Sequence, residues 1–341
     1  SLARDIADLG SSATNLDTVG SNLVTNGAME VAQRGTSSTT NGYGSVDRFQ
    51  TLYSGTDEAP TQAQVDVASG TTPYTLGFRK ALKITNGNQT SGAGAADYLA
   101  IYHRIEGQDI SSSGWNTTDS NSKLTLSYWV KSSVAQTFYG RFRAFASSQY
   151  EYTYSFALSA DTWTKVTKTI PGNSNFSSLV NTNAIGFFHV WQCFWGTDFT
   201  NNKTLDEWAV KDNANKSPDM TSTWYTTNDA TFEITGVQLK AGEATDFEHE
   251  PYSVTLAKAQ RYYFSLGGDA AYERGAVGYN FSTTLSRCST HFPTTMRAAP
   301  STSISGALYV ATAGSQVSVT SASNDNSSTH VGHMGYAVSS G

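Results

Sequence analysis

The stretch Leu124-Thr-Leu-Ser-Tyr-Trp-Val130 alternates large apolar side chains with mostly polar ones. That two-residue period belongs to a strand with one face in a core. It continues in Gln136-Thr-Phe-Tyr-Gly-Arg-Phe-Arg143, and Tyr150, Tyr152, Tyr154, Phe156 and Leu158 fall on one face of a third segment. Trp163-Thr-Lys-Val-Thr-Lys-Thr-Ile170 stops at Pro171-Gly172, Phe187-Phe-His-Val-Trp-Gln-Cys-Phe-Trp195 follows, and Ala230-Thr-Phe-Glu-Ile-Thr-Gly-Val-Gln-Leu239 closes the series. Gly, Asn, Asp and Ser cluster between these segments, where chain reversals need them. Many short strands with turn chemistry between them predict an all-β fold, an antiparallel β-sandwich of jelly-roll type. In 187–195, His189, Trp191, Cys193 and Trp195 share one face and Phe188, Val190 and Phe194 the other. Bulky residues on both faces predict burial on both sides.

Working outward, Leu2, Ile6 and Leu9 recur at helical spacing before Gly10-Ser-Ser. A helix that short is marginal alone and is expected to dock on something else. Past Pro251, Ser253 is a candidate cap for a helix from Val254 to Tyr263, with Leu256, Ala259 and Tyr263 on one face. Short strands are then expected at 276–281, 283–292, 304–311, 316–321 and 333–338. The organisation predicted is an attachment or linker segment at 1–21, a sandwich at 22–252, and a helix with a small C-terminal β knob at 253–341.

Composition narrows the function. The chain has 341 residues, 22 Lys+Arg against 28 Asp+Glu, and only 15% charged residues. With no basic block it is a poor candidate for nucleic acid, because neutralising phosphates takes clustered Lys and Arg. The 18 Tyr, 16 Phe and 7 Trp supply ample area to bury, which argues against disorder. Apolar runs such as 185–191 are far below the roughly 18 residues that would span a bilayer. Cys193 and Cys288 stand alone, neither a disulfide framework nor a zinc site. The opening residues lack a charged region followed by an apolar one, so no secretion signal is visible. Both ends are abrupt, as in a fragment of a longer chain.

Several segments, in order, resemble known proteins. Asn22-Leu-Val-Thr-Asn-Gly-Ala-Met29, Lys80-Ala-Leu-Lys-Ile84, Leu124-Thr-Leu-Ser-Tyr-Trp-Val-Lys131, Asp161-Thr-Trp-Thr-Lys-Val166 and Ile234-Thr-Gly-Val-Gln-Leu239 resemble strands of the jelly-roll carbohydrate-binding modules found beside cellulases and xylanases. Asn22 through Gly35, Phe247-Glu-His-Glu-Pro-Tyr252, Ala259-Gln-Arg-Tyr-Tyr263 and Thr290-His-Phe-Pro-Thr-Thr-Met-Arg-Ala-Ala-Pro300 are similar to tail fibres and other virion surface proteins of tailed bacteriophages. The resemblance covers roughly 22–340. It implies an opening strand at 22–29 and a homotrimer displayed on a phage particle and assembled in the host cytoplasm. It also implies contact with other virion proteins through the N-terminal segment, and adhesion to a host-surface glycan or receptor. The alternatives are a carbohydrate-binding module of a polysaccharide-degrading enzyme, or a depolymerase spike. The modules often bind calcium through a carboxylate of the last strand. Here that strand offers Glu233 and no Asp, so no calcium is expected.

No catalytic signature stands out. The histidines lack metal-ligand spacing on a helix, and no nucleophile elbow or P-loop occurs. Among the acids, Asp97, Glu106, Asp198 and Glu207 remain open as members of a glycosidase pair. No enzyme activity, cofactor, metal or membrane insertion is expected. A sugar site needs flat rings and hydrogen-bonding side chains. With Leu124, Leu126, Tyr128 and Val130 inward, Trp129 and Lys131 face outward. With Phe138, Phe142 and Ala144 inward, Tyr139, Arg141 and Arg143 face outward. Paired as neighbours, the two strands would gather Trp129, Lys131, Tyr139, Arg141 and Arg143 on one face suited to an acidic glycan. Otherwise that face is covered by the excursion at 196–225 or by a sister chain. The excursion brings Trp195, Phe199, Trp208, Trp224 and Tyr225, which read as further binding residues or as a lid pinned to its own sandwich.

Overall fold

The computed structural model describes residues 22–266, 276–303, 309–312, 315–324 and 327–338. The helix expected around Leu2, Ile6 and Leu9 lies outside them. Twelve strands build two six-stranded sheets. They are β1 (Ser37–Ser38), β2 (Phe49–Ser54), β3 (Thr61–Asp66), β4 (Lys80–Thr85), β5 (Tyr98–Glu106), β6 (Lys123–Ser132), β7 (Gln136–Phe145), β8 (Gln149–Leu158), β9 (Thr164–Pro171), β10 (Ile185–Trp195), β11 (Trp208–Val210) and β12 (Thr231–Ala241). The first sheet has the order β1-β3-β4-β12-β6-β9 and the second β11-β8-β7-β10-β5-β2. The fold is the antiparallel sandwich that the alternation predicts. Strands β2, β3 and β5 lie outside the strand segments quoted above.

The core forms where the inner faces meet. Leu124, Leu126, Tyr128 and Val130 of β6 and Phe138, Phe142 and Ala144 of β7 are buried there, as their parity requires. Tyr152, Tyr154, Phe156 and Leu158 of β8 join them. Gly140 is needed at its place on β7, since a Cβ there would meet the Tyr154 ring at 2.2 Å. That ring is pinned: its hydroxyl lies 3.1 Å from the Tyr128 hydroxyl and 2.8 Å from His189 Nε2. A short polar chain thus links the two sheets through an otherwise apolar interior.

Two expectations change. The segment 22–29 is a series of turns, because Asn26 and Met29 take positive φ of 63° and 61° and the Asn26 side chain binds the Val31 backbone. In β10 the pairing with β5 slips between Gln192 and Phe194. This bulge puts an extra residue on the inner side. Cys193 and Phe194 therefore both face the core, and Trp195 joins Phe188 and Val190 on the outer face.

The excursion after β10 lies on the sandwich. Its strand β11 extends the edge of β8, Trp208 Nε1 donates to the Pro171 carbonyl at 2.8 Å, and Trp224 Nε1 donates to the Thr231 carbonyl at 2.9 Å. The helix after the sandwich spans Tyr252–Gln260; Pro251 occupies the cap position with no side-chain hydrogen bond, and the residues it buries are Thr255 and Ala259. Ser253 is thus inside the helix and not its cap, and of the expected face Ala259 is buried while Leu256 and Tyr263 are half-buried. A third sheet follows, β13 (Val277–Ser282), β14 (Leu285–His291), β15 (Tyr309–Thr312), β16 (Ser315–Asn324) and β17 (Val331–Val338), in the order β13-β14-β17-β16-β15. Both cysteines are free; Cys193 is buried and Cys288 half-buried. Among the described residues no helix is long and apolar enough to cross a membrane.

Candidate binding groove on the second sheet

The proposed shared face of Trp129, Lys131, Tyr139, Arg141 and Arg143 is corrected by the topology. Strands β6 and β7 are consecutive in sequence but belong to different sheets. Their outward residues therefore lie on opposite sides of the sandwich. Trp129 and Trp163 pack against the small cluster of Val67, Phe78 and Ala81 on the outside of the first sheet. Lys131 there pairs with Glu233 at 3.1 Å and lies 5.2 Å from the Trp163 ring. Trp224 is fully buried, and Trp208 packs its ring against Phe176 at 4.9 Å. Both Trp residues pack the excursion onto the sandwich, Trp224 sealed and Trp208 half-buried, and neither lines the groove described next.

The second sheet carries the groove. Register sets its rows. Arg143 of β7 lies opposite Phe188 of β10, which lies opposite Arg104 of β5. Two residues along, Arg141, Val190 and Tyr102 form the next row, and then Tyr139, Gln192 and Ala100. The β10 bulge brings Trp195 beside Tyr98 at the far end. Their rings stack at 4.9 Å and 13°, and Phe199 from the excursion stands edge-on to both. The excursion is fixed over this face by its backbone: Thr153 Oγ1 donates to the Lys216 carbonyl at 2.9 Å. Lys216 Nζ then sits 4.1 Å from both the Trp195 and Phe199 rings. These residues enclose a cavity of about 420 Å³.

Its electrostatics are one-sided. Arg104, Arg141, Arg143 and Lys216 line the cavity and no carboxylate does. Glu151, directly opposite Arg143 on β8, is the buried counter-charge. It accepts from Arg141 Nη1 and, at 2.8 Å, from Arg143 Nε. Burial, reinforced by the Arg141 charge, lowers the Arg143 pKa against the pull of Glu151. Burial, again with Arg141, lowers Lys216 to about 8. Buried polar atoms gather here without a hydrogen-bond partner in the chain: Arg141 Nε, Glu151 Oε2, both amide atoms of Gln192 and Trp195 Nε1. Each such group costs roughly 1–3 kcal/mol when left unsatisfied, so the cluster calls for further polar partners, whether buried water or a ligand.

Trp195 and Phe199 are among the excursion's candidate rings, whereas Tyr98, Tyr102, Arg104, Phe188 and Lys216 are absent from the sequence-derived set. The signal that finds them is strand neighbourhood, since Tyr102 and Phe188 meet at 5.6 Å only because β5 pairs with β10. Among the acids left open for catalysis, Glu106 is held by Arg261 at 2.8 and 2.9 Å, and Asp97 accepts from the Gly94 amide at 2.6 Å. Among the described residues no group of three or more His, Cys, Asp or Glu is placed to hold a metal ion.

No family model matches this sequence, and no curated protein does. Solved structures are similar in shape. A putative sugar-binding protein from Bacteroides thetaiotaomicron aligns at 13% identity and a TM-score of 0.33, over 65% of this chain and 100% of that one. The N-terminal cellulose-binding domain of a Cellulomonas fimi β-1,4-glucanase aligns at 14% identity and a TM-score of 0.30, over 63% and 100%. An arabinose-bound α-L-arabinofuranosidase aligns at 8% identity and a TM-score of 0.33, over 70% of this chain; the chain spans 29% of that enzyme.

Proposed function

We propose that this protein binds a carbohydrate in the groove on the outer face of the second sheet and breaks no bond there. The groove itself carries the reading. Half-buried rings (Tyr98 and Phe199) offer flat surfaces to sugar C–H faces, while guanidinium, ammonium and amide groups stand ready for hydroxyls. Cleaving a glycosidic bond takes two carboxyl groups roughly 5–9.5 Å apart across the sugar, and no carboxylate lines this cavity. The test is a glycan array followed by affinity electrophoresis on the hits. Replacing both rings, Tyr98→Ala with Phe199→Ala, is expected to weaken binding by about tenfold, some 1.4 kcal/mol. An unchanged affinity would move the site elsewhere.

For the setting, we propose a surface adhesin of a phage particle, a homotrimer whose repeated weak sites add by avidity. Support comes from the ordered resemblances and from the third sheet. Its two edge strands, β13 and β15, expose Tyr279 at 62%, Phe281 at 56% and Tyr309 at 50%. Exposed rings on sheet edges suit chain–chain contact. Light scattering at micromolar concentration is expected to give three times the monomer mass. A monomer would favour the second reading, a binding module of a polysaccharide-degrading enzyme, which the same groove serves equally well.

A further inference from the structure

A second cavity, of about 650 Å³, lies where the segment after the sandwich docks back on it. Two of the motifs noted in the sequence interlock to build it. From the first, Gln33 Nε2 donates to the Tyr263 carbonyl at 3.0 Å and the Arg34 guanidinium lies 3.5 Å from the Tyr263 ring. From the second, Tyr262 lies 3.3 Å below the guanidinium of Arg48, which is 7% exposed and whose Nε has no partner in the chain. Arg34, Arg48, Arg104 and Arg297 line the cavity. Against these four arginines stand Asp47 and Glu106, and both are engaged. Asp47 lies 3.6 Å from Arg34, and Glu106 is held by Arg261 and the Tyr262 hydroxyl.

This cavity continues the groove. Arg104 lines both. Phe145 and Glu106, in the second cavity, occupy the next row on the outer face of the same sheet, and the Phe145 ring meets Phe188 at 5.5 Å. From Tyr98 to Glu106 the face runs eight residues along β5, about 26 Å at a strand's rise. That is long enough for several sugar units laid end to end. Seven cationic side chains line the two cavities, and four of them, Arg48, Arg104, Lys216 and Arg297, are in no ion pair with the carboxylates Asp47, Glu106 and Glu151. A neutral glycan would leave those charges without counter-ions.

We propose that the two cavities form one track for the interior of an acidic polysaccharide chain, with carboxylate-bearing sugars facing Arg104, Arg143 and Lys216 in the first and Arg297 in the second. This rests on the glycan-binding reading and deepens it. Guanidinium–carboxylate pairs are the strong, geometrically selective contacts such a site needs. A single-stranded nucleic acid is the other polyanion with faces that stack on rings. Uronates fit better, because the chain as a whole carries a net charge of -6 and offers no extended basic surface for a phosphate backbone.

The experiment uses the whole chain and calorimetric titration. Probes are dimers and octamers of galacturonate and of alginate uronates, a neutral xylo-octamer, and oligothymidylate. The expected result is an acidic octamer bound at least tenfold more tightly than its dimer and than the neutral octamer. Arg297 is exposed, so Arg297→Gln leaves the fold intact. It is expected to weaken the octamer severalfold and leave the dimer unchanged. Dimer and octamer binding alike, or an octamer indifferent to Arg297→Gln, would overturn the two-cavity track. A neutral octamer matching the acidic ones would overturn the acidic ligand while leaving glycan binding standing. Stronger binding of oligothymidylate would overturn the sugar class, and failure of every sugar would bring down the parent reading with it.

Discussion

Glu151→Gln is expected to lower the unfolding free energy by about 3–5 kcal/mol, the range for removing one partner from a buried ion pair. Arg141 is 1% exposed and Glu151 fully buried, so solvent cannot take over the role of the lost carboxylate. Arg143, at 14% side-chain exposure, shares the same oxygen and loses its partner too. The amide keeps the shape and one acceptor, which isolates the charge from the packing. Urea denaturation at pH 7.5 measures the change, with Glu207→Gln as an exposed control expected to stay within about 0.5 kcal/mol. A loss below about 1 kcal/mol would mean the guanidiniums reach water, and the picture of a desolvated cationic floor would fail. A second arm separates charge from fold. Arg141→Met with Glu151→Met, which removes an arginine and the carboxylate together, is expected to recover part of the loss, because apolar substitutes avoid desolvating ions.

The triad also shows which part of the molecule was legible in the sequence. Parity along one strand is local information, and it correctly put Phe138 and Phe142 inside and Arg141 and Arg143 outside. Which strand lies next to which is not local. Strand β6 precedes β7 in the chain, yet β6 pairs with β9 and β12 while β7 pairs with β8 and β10. That crossover carries Trp129 and Arg141 to opposite surfaces. The bulge at Cys193 was equally invisible. One extra residue reverses the parity of all that follows it, and so Trp195 changed faces. Strand β5 reads Tyr98-Leu-Ala-Ile-Tyr-His-Arg-Ile-Glu106. It alternates cleanly once its neighbours are known, with Leu99, Ile101 and Ile105 inward and Tyr98, Tyr102 and Arg104 along the groove. The excursion was legible in kind, since several Trp residues in a long polar segment must be buried somewhere. Its anchors, the Pro171 and Thr231 carbonyls, come from distant parts of the chain.

Acid is expected to destabilise the fold well above the carboxylate range, with stability falling between pH 6.5 and pH 5. The cause is two buried histidines, His103 at 1% exposure and His189 at 2%. Burial holds both well below 6.5; the Arg48 charge adds to it at His103, and at His189 the neighbouring His103, which cannot share a second proton, and the Arg141 charge add to it. Above pH 6.5 both rings are neutral in the folded and unfolded chain alike, and stability is at its plateau. Below it the unfolded chain takes up protons that the fold refuses, so stability falls as pH falls, by about 1.4 kcal/mol per pH unit for each ring that stays neutral in the fold. Asp47 and Asp109 have the opposite sign. Burial raises both carboxyl groups, so they favour the fold as pH drops, and that contribution grows toward their unfolded range near pH 3.9, below this window. Urea midpoints at pH 7.5, 6.0 and 5.0 measure the slope. His189→Gln keeps an acceptor for the Tyr154 hydroxyl, which His189 Nε2 contacts at 2.8 Å. It is expected to halve the slope while lowering stability at pH 7.5. A wild-type profile flat from pH 7.5 to 5 would show that the rings take protons in the folded state, and that the polar chain joining the two sheets is open to water.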